Sequence, residues 1–482
     1  MIFLDKLTHR RIKDKVKNIN VKDILNITEG KLIVGNENLE CIKFSKDTRK
    51  IERGDIYIGI KGETFDGSKF WRQALEKGAQ AVIVENIDFT DEEKKEFKER
   101  TIIKVENTLK ALYKIAEYKR SLYDIPVIAI TGSVGKTSTK DIVANVVGQK
   151  YKTLKTIGNN NNNIGLPFTI LRMQDEEAMV LEMGMNHLGE IRLLTSIAKP
   201  TICIITNIGT SHIGNLGSRE NILKAKLEIL EGCEKPTIII NNDNDLLHNW
   251  YQENERRTEI KTYGIKEKSY LNAENIILEE SSSQFTCKLK NENLKITVPV
   301  GGEHFILNSL CAVTVGRVLG IDNEKIIKGI ESFELTKKRM DITNLENGTK
   351  IINDAYNASY ESMSASLKSL SEFKDNRKIA VLGDMFELGD FSKELHEKVG
   401  EEVSKNNIDI LICSGENAKY IYEKAKENMN IQNVYYAHDK EHIISILEKI
   451  NAPGDVILLK ASNGMKFYDL AERMINLWKR KN

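Results

Sequence analysis

VIAITGSVGKTSTKDIVANVV, residues 127–147, is the stretch that decides how this chain is read. Residues 127–130 form an apolar run with strand character, the segment after it is built of small polar residues, and Ile142, Val143, Val146 and Val147 then recur at helical spacing. Strand, loop and helix in that order aim successive backbone N–H groups and the positive end of a helix dipole at one point. That arrangement suits the polyphosphate of a nucleotide. Gly132, Ser133, Gly135 and Ser138 would line the loop, Lys136 would reach the β- and γ-phosphates, and the Thr137 hydroxyl would ligate Mg²⁺. Ile130 stands where the longer phosphate-loop pattern carries a further glycine, so the short GxxGKT form is present.

Working outward, 482 residues imply about three domains. Lys and Arg number 71 against 70 Asp and Glu, a net charge of +1, so no global field draws the chain to nucleic acid or to an anionic membrane. The six cysteines contain no CxxC pair and fit reduced thiols. Charge in the amino-terminal run 1–15 falls where a signal peptide needs an apolar core, and no apolar run approaches 18 residues. A soluble, cytoplasmic, monomeric protein without membrane insertion is expected.

The expected fold class is α/β in three domains. Residues 1–124 alternate strand-like runs (41–44, 55–60, 81–84, 102–105) with helical stretches (70–77, 109–122) and form a small α/β domain. Its loop holds Asp47, Thr48 and Arg49 ahead of turn glycines, a set able to hold a diphosphate or a uracil edge or to be a polar surface loop. Residues 125–336 carry the phosphate loop and further strand-like runs at 179–182, 201–207, 236–241 and 260–263, which argues for a parallel sheet with helices on both faces. Residues 269–300 switch to short alternating runs, an antiparallel excursion. Residues 337–482 repeat the strand and helix alternation, with strands near 350–353, 378–382, 410–413, 434–436 and 456–459, and read as a Rossmann-like domain without a GxGxxG. Hinges are expected near 120–126 and 334–340.

Strand ends concentrate the chemistry. Glu182 ends one run and His212 follows another, so a carboxylate and an imidazole at neighbouring strand ends could hold Mg²⁺ beside the phosphate loop; singly, each could as well be a polar residue satisfied by backbone. The segment TIGNNNNNIGLP from Thr156 carries five successive asparagines, including Asn161 and Asn162, which suit a sugar or peptide or form a low-complexity loop. Asn308 near a helix start could read an adenine edge. In the third domain the polar clusters are Arg339, Asp354 with Tyr356 and Asn357, GDMFELGD at 383–390 and KASNGMK at 460–466.

Taken in series, DTR, TGSVGKTSTK, NNNNNIGLP, EMGMNHLGEI, NIGTSHIG with KAKLEI, NDAYNAS and LGDMFELG resemble the Mur ligases of peptidoglycan synthesis over nearly the whole chain. The resemblance implies an ATP-dependent amide ligase that joins D-Ala-D-Ala to UDP-MurNAc-tripeptide through an acyl phosphate, serving cell-wall biogenesis, cell shape and division. It implies that Lys136 and Thr137 hold the ATP phosphates and a first Mg²⁺, and that Glu182 and His212 reach a second. Lys226, fourteen residues after His212, matches a carbamylated lysine of the family. Asn308 matches an adenine contact, Arg339 a γ-phosphate contact and Asp354 a ribose or nucleotide contact. The first domain would take UDP near Asp47, Thr48 and Arg49; Thr156, Asn161, Asn162 and Asn357 would meet the remaining substrate. Phe305, Ser359-Tyr360 and Ala461 depart from the family pattern. Two other readings stay open: a sister ligase adding one amino acid, of the preceding muramyl or folylpolyglutamate type, and a nucleotide-binding scaffold without catalysis.

Overall fold

In a computed structural model, the strand Val127–Thr131 is buried from end to end, as expected of a β-branched run with no polar alternation. The structure describes residues 17–479 apart from 63 and 290–291. The charged amino-terminal run 1–15, expected not to be a signal peptide, lies outside these residues. Among the described residues no helix is long and apolar enough to cross a membrane.

The chain divides into two compact units. One comprises residues up to Val127 with Tyr151–Leu181 and Leu193–Pro200. Its five-stranded sheet runs Lys31–Val34, Thr101–Lys104, Ala81–Val84, Ile56–Ile58 and Phe44–Ser45, parallel except for the first pair. The helix Thr108–Ser121 sends Arg120 to the carbonyls of Ala198 (2.8 Å) and Lys199 (3.2 Å). From the same helix, the Tyr113 hydroxyl accepts from Asn163 at 3.0 Å. Residues distant in sequence thereby join this unit.

The other unit comprises Ile128–Lys150, Glu182–Arg192 and the chain from Thr201 onward. In it, residues 128–131 of the strand Val127–Thr131 pair in parallel with Ile202–Ile205, Ile128 facing Ile202 and Thr131 facing Ile205. The sheet continues in parallel through Thr237–Asn241 and Ile260–Gly264 to Leu271–Leu278. The expected antiparallel excursion follows as Leu271–Leu278, Ser283–Leu289 and Glu292–Val298. A second sheet of six strands has the order Asp341–Asn344, Lys350–Asn353, Val456–Lys460, Lys378–Gly383, Ile410–Ser414, Val434–Tyr436, antiparallel only in its first pair. Its core packs Ile351, Val381, Ile412 and Leu459 against Leu447, Leu470 and Trp478. Parallel order without internal turns puts the ends of several strands on one edge of each sheet, where loops can gather functional groups.

Strands Lys31–Val34, Thr153–Lys155 and Asp341–Asn344 escape the sequence reading. Each is short and mostly half-exposed, so no apolar periodicity marks it. The helix expected over 70–77 begins as a 3₁₀ turn, Gly67–Phe70, before Trp71–Glu76; Asp66 caps that turn by accepting from Ser68 N–H.

Candidate active site

The loop between Val127–Thr131 and the helix Lys136–Gly148 depends on two glycines. Gly132 has φ 153° and approaches Thr206 so closely that a Cβ would lie 1.9 Å from its hydroxyl; Gly135, at φ 78°, starts the helix. The following strand end then laces the loop in place. Asn207 Oδ1 accepts from Val134 N–H (3.0 Å), its Nδ2 donates to Val134 O (3.0 Å), and its carbonyl accepts from Ser133 N–H (3.1 Å). The Thr206 hydroxyl donates to Val134 O at 2.7 Å, and the Gly209 N–H donates to Ser133 Oγ at 2.9 Å. Ser138 is buried in the first helical turn.

Three chemically different groups meet at Thr137. Its hydroxyl donates to Glu182 Oε2 at 3.0 Å and accepts from Arg339 Nη2 at 3.0 Å. Glu182 ends the strand Ala178–Glu182 and is 3 % exposed. Lys136 Nζ donates to the carbonyls of Gly132 (2.8 Å) and Ser133 (3.3 Å). Desolvation pulls its pKa below 10.5; Glu182 opposes that shift and the Arg339 charge adds to it. Arg339 stacks 4.2 Å from the Tyr356 ring and keeps a buried Nε without a hydrogen-bond partner. The flanking Lys338 and Met340 both take left-handed backbone (φ 67° and 50°), so the arginine rides on a strained turn.

His212 also has positive φ, 64°, and caps the short helix Ile213–Leu216. Its Nδ1 lies 2.5 Å from Glu387 Oε2, and this contact holds the Glu387 carboxyl below its ordinary value. On the helix Arg219–Leu227, Lys226 is 1 % exposed while Lys224 faces solvent. A solvated, snorkelling Lys226 is therefore excluded. Burial drives its amine well below 10.5, and the charge of Lys136 adds to the shift.

Asn308, on the helix Glu303–Val318, is buried; its Oδ1 accepts from Thr139 at 3.0 Å and would sit 3.3 Å from a Cβ at Gly135. It does not face solvent as helix amides generally do. Asp354 spends both carboxylate oxygens inside the protein: Oδ1 accepts from Met340 N–H (3.1 Å), and Oδ2 from Lys460 (2.6 Å) and Ser366 (2.5 Å). Through Met340 it fixes the turn that carries Arg339. Asn357 is exposed, its Oδ1 accepting from Asn463 N–H at 3.4 Å and its carbonyl from Lys460 at 3.3 Å.

The remaining expected contacts belong to the first unit. Asp47 forks to Arg49 through Nε and Nη2, both at 2.9 Å, and this pulls its carboxyl down to about 2. The Thr48 hydroxyl donates to Gln73 at 2.7 Å. Thr156 is fully buried, with its N–H on Val180 O at 3.1 Å. Asn161 is half-buried, and Asn162 Oδ1 accepts from Ile164 and Gly165 N–H at 3.2 and 2.8 Å at the start of the helix Gly165–Leu171. The asparagine run is thus a specific turn, not a low-complexity loop.

Three family models match in series: the Mur ligase family catalytic domain over residues 45–120, the Mur ligase middle domain over 130–316, and the Mur ligase glutamate ligase domain over 338–463. The UDP-N-acetylmuramoyl-tripeptide--D-alanyl-D-alanine ligase of Bacillus subtilis (strain 168) is 36% identical over 94% of this chain and 98% of its own length. The chain belongs to the Mur ligase family. Among solved structures, this Mur ligase superposes on MurF from Acinetobacter baumannii with a TM-score of 0.85 at 26% identity, covering 96% of this chain and 100% of the other. MurF ligase from Thermotoga maritima in complex with ADP gives 0.79 at 29% identity, covering 91% and 98%.

The donors of this Mur ligase fit a nucleotide with its cation. Two positive-φ glycines, a helix start, an ammonium and an arginine with an orphaned Nε surround a hydroxyl that already touches a carboxylate. Among the described residues no three His, Cys, Asp or Glu side chains converge, so a cation held here would need hydroxyl, phosphate or water oxygens beside its carboxylate. Sequence reasoning passed over Asn207, Thr206 and Thr139. All lie within motifs it quoted or beside them, but an amide that serves backbone groups has no spacing signature.

Proposed function

We propose that this Mur ligase joins D-Ala-D-Ala to the terminal carboxylate of UDP-MurNAc-tripeptide at the expense of ATP. The observation that carries the reading is the meeting of Glu182 and Arg339 on the Thr137 hydroxyl at the mouth of the phosphate loop, with the Lys136 ammonium held on the loop carbonyls within reach of both charges. It is supported by the activity that names the relatives matching along almost the whole chain.

A carboxylate is a poor electrophile until one oxygen can leave. In the first step a carboxylate oxygen of the tripeptide attacks the γ-phosphorus, the bond to the β-bridging oxygen breaks, and ADP leaves. In the second, the amine of D-Ala-D-Ala attacks the acyl carbon, inorganic phosphate departs, and the amine loses a proton. Lys136 and Arg339 offer positive charge where oxygens gain negative charge. Thr137, Glu182 and His212 would hold Mg²⁺, two ions in all, whose chemistry is charge neutralisation at phosphate oxygens. Lys226 is assigned a carbamate. Its amine, buried and disfavoured as a cation, is suited to take up CO₂ and become an anionic ligand on a long stem. Asn308 is assigned to adenine, and Asp354 to the nucleotide's ribose side through the turn it fixes.

The working division is 1–124 for UDP, with Asp47, Thr48 and Arg49; 125–336 for ATP; and 337–482 for D-Ala-D-Ala and closure over the nucleotide, with Asn357. Thr156, Asn161 and Asn162 are assigned to the sugar-peptide. The chain is taken to act as a cytoplasmic monomer. Phosphate release that requires both UDP-MurNAc-tripeptide and D-Ala-D-Ala tests the reading: a sister ligase responds to a single amino acid, a scaffold to neither.

A further inference from the structure

Glu361 stands in the first turn of the helix Tyr360–Ser371, where an acidic residue already has a bland role beside the helix dipole. Its carboxylate does more than that. Oε1 accepts from Thr210 N–H at 2.7 Å and Oε2 from the Thr210 hydroxyl at 3.1 Å. The fit against the neighbouring Gly209 is so close that a Cβ there would lie 2.4 Å from Glu361 Cδ. Gly209 and Thr210 belong to the segment that laces the phosphate loop, through Asn207 on Val134, Gly209 on Ser133 and Ser211 on the Ser133 carbonyl, and that ends in His212. Arg219 and Asn244 hold the same segment from the other side, both donating to Ile208 O. The Rossmann-like sheet therefore meets the nucleotide machinery through the Arg339 charge on Thr137, through Glu387 on His212 and through this carboxylate on the backbone beside the loop.

We propose that Glu361 is a positioning residue that latches the Rossmann-like sheet to the phosphate loop through Thr210, so that the acyl phosphate is consumed by the amine and not by water. This rests on the ligase reading above. Hydrolysis of the acyl phosphate needs only water at the acyl carbon or the phosphorus and returns the free tripeptide carboxylate and inorganic phosphate. Loosening the latch should thus waste ATP without touching a group that contacts nucleotide.

The experiment counts phosphate released and peptide bonds formed by the full chain with ATP, UDP-MurNAc-tripeptide and D-Ala-D-Ala. Wild type should give close to one phosphate per bond. Glu361→Ala should lower bond formation roughly tenfold and release several phosphates per bond, with nucleotide affinity changed by less than about twofold. Glu361→Gln keeps an acceptor for Thr210 N–H and should stay within about threefold of wild type. Gly209→Ala should reproduce the uncoupling by pushing the carboxylate away. In the Glu361→Ala background the added methyl has room, so Gly209→Ala should there cost little more. A merely destabilised fold lowers both products together and leaves their ratio at one. An unchanged ratio in Glu361→Ala, no rescue by Gln, or a Gly209→Ala penalty undiminished by Glu361→Ala overturns the latch while the ligase reading stands. Wild-type phosphate release indifferent to D-Ala-D-Ala removes the ligase reading, and this role with it.

Discussion

Replacing Asn207 with alanine removes two hydrogen bonds of 3.0 Å that grip Val134 from both sides, while the Asn207 carbonyl continues to accept from Ser133 N–H. At about 1 kcal/mol net for each bond the loop loses about 2 kcal/mol of preorganisation. Val134 is only half-buried, so its freed N–H recovers water while its carbonyl keeps the Thr206 hydroxyl, and the cost does not rise to that of a sealed unsatisfied pair. If the loop must re-form to bind phosphate, 2 kcal/mol corresponds to roughly thirtyfold in Kd. The strand Ile202–Ile205 keeps its buried apolar face, so melting should move little. Asn207→Asp sharpens the test. It keeps an acceptor for Val134 N–H but sets a carboxylate oxygen against Val134 O, so it should bind nucleotide more weakly than the alanine variant. Calorimetric titration of a non-hydrolysable ATP analogue, alongside thermal melting, reads both quantities. An alanine variant with wild-type nucleotide affinity would show that the loop holds its shape without the amide and that the lacing argument is wrong.

Four further outcomes are expected. Lys136→Ala should abolish turnover with the melting curve preserved, since the ammonium donates to the loop carbonyls of Gly132 and Ser133; normal turnover in the purified variant sinks the phosphate-loop assignment. Glu182→Gln and His212→Ala should each raise the Mg²⁺ concentration needed for half-maximal rate, and an unchanged titration would make both residues structural. Lys226→Ala should be nearly inactive and partly restored by acetate or another short carboxylate, with exposed Lys224→Ala doing far less harm; equal effects at the two positions refute the carbamate. Burial holds His304 near 4, from an ordinary 6.5, with Asp354 opposing and Lys460 reinforcing the shift. A base whose folded pKa is depressed favours folding above 6.5 and loses that contribution as pH falls from 6.5 to 4, here up to about 3 kcal/mol. Denaturant titrations of wild type and His304→Asn should therefore converge or cross over that window, and parallel curves would count against a neutral imidazole in this half-buried position.

Most of the strands were legible because parallel strands covered on both faces must be near-continuous apolar runs; Ala81–Val84, Val127–Thr131, Ile202–Ile205 and Val456–Lys460 are all buried throughout. Gly135, Lys136 and Thr137 were legible for a related reason. A loop that bends sharply and presents backbone to phosphate is local chemistry, and its residues must be adjacent in the chain. Edge strands such as Lys31–Val34 were not legible, because a half-exposed strand owes its existence to a neighbour 70 residues away and not to its own pattern.

What the sequence determined by itself is the set of motifs, the α/β alternation and the family resemblance, since each is written in residues close together along the chain. Only tertiary structure decided which side chains share a site. Lys226 and Lys224 are two residues apart on one helix, yet one is sealed from water and the other solvated, because positions two apart lie on different faces of a helix and packing covers only one of them. Asp354 looked like a ligand group, and the fold surrounds its carboxylate with Met340, Ser366 and Lys460 so that it shapes the Arg339 turn. Glu361 carries no motif at all. Its role arises because folding brings its helix start against Gly209 and Thr210, about 150 positions earlier, and a carboxylate can accept two hydrogen bonds only where the backbone comes close enough to offer them.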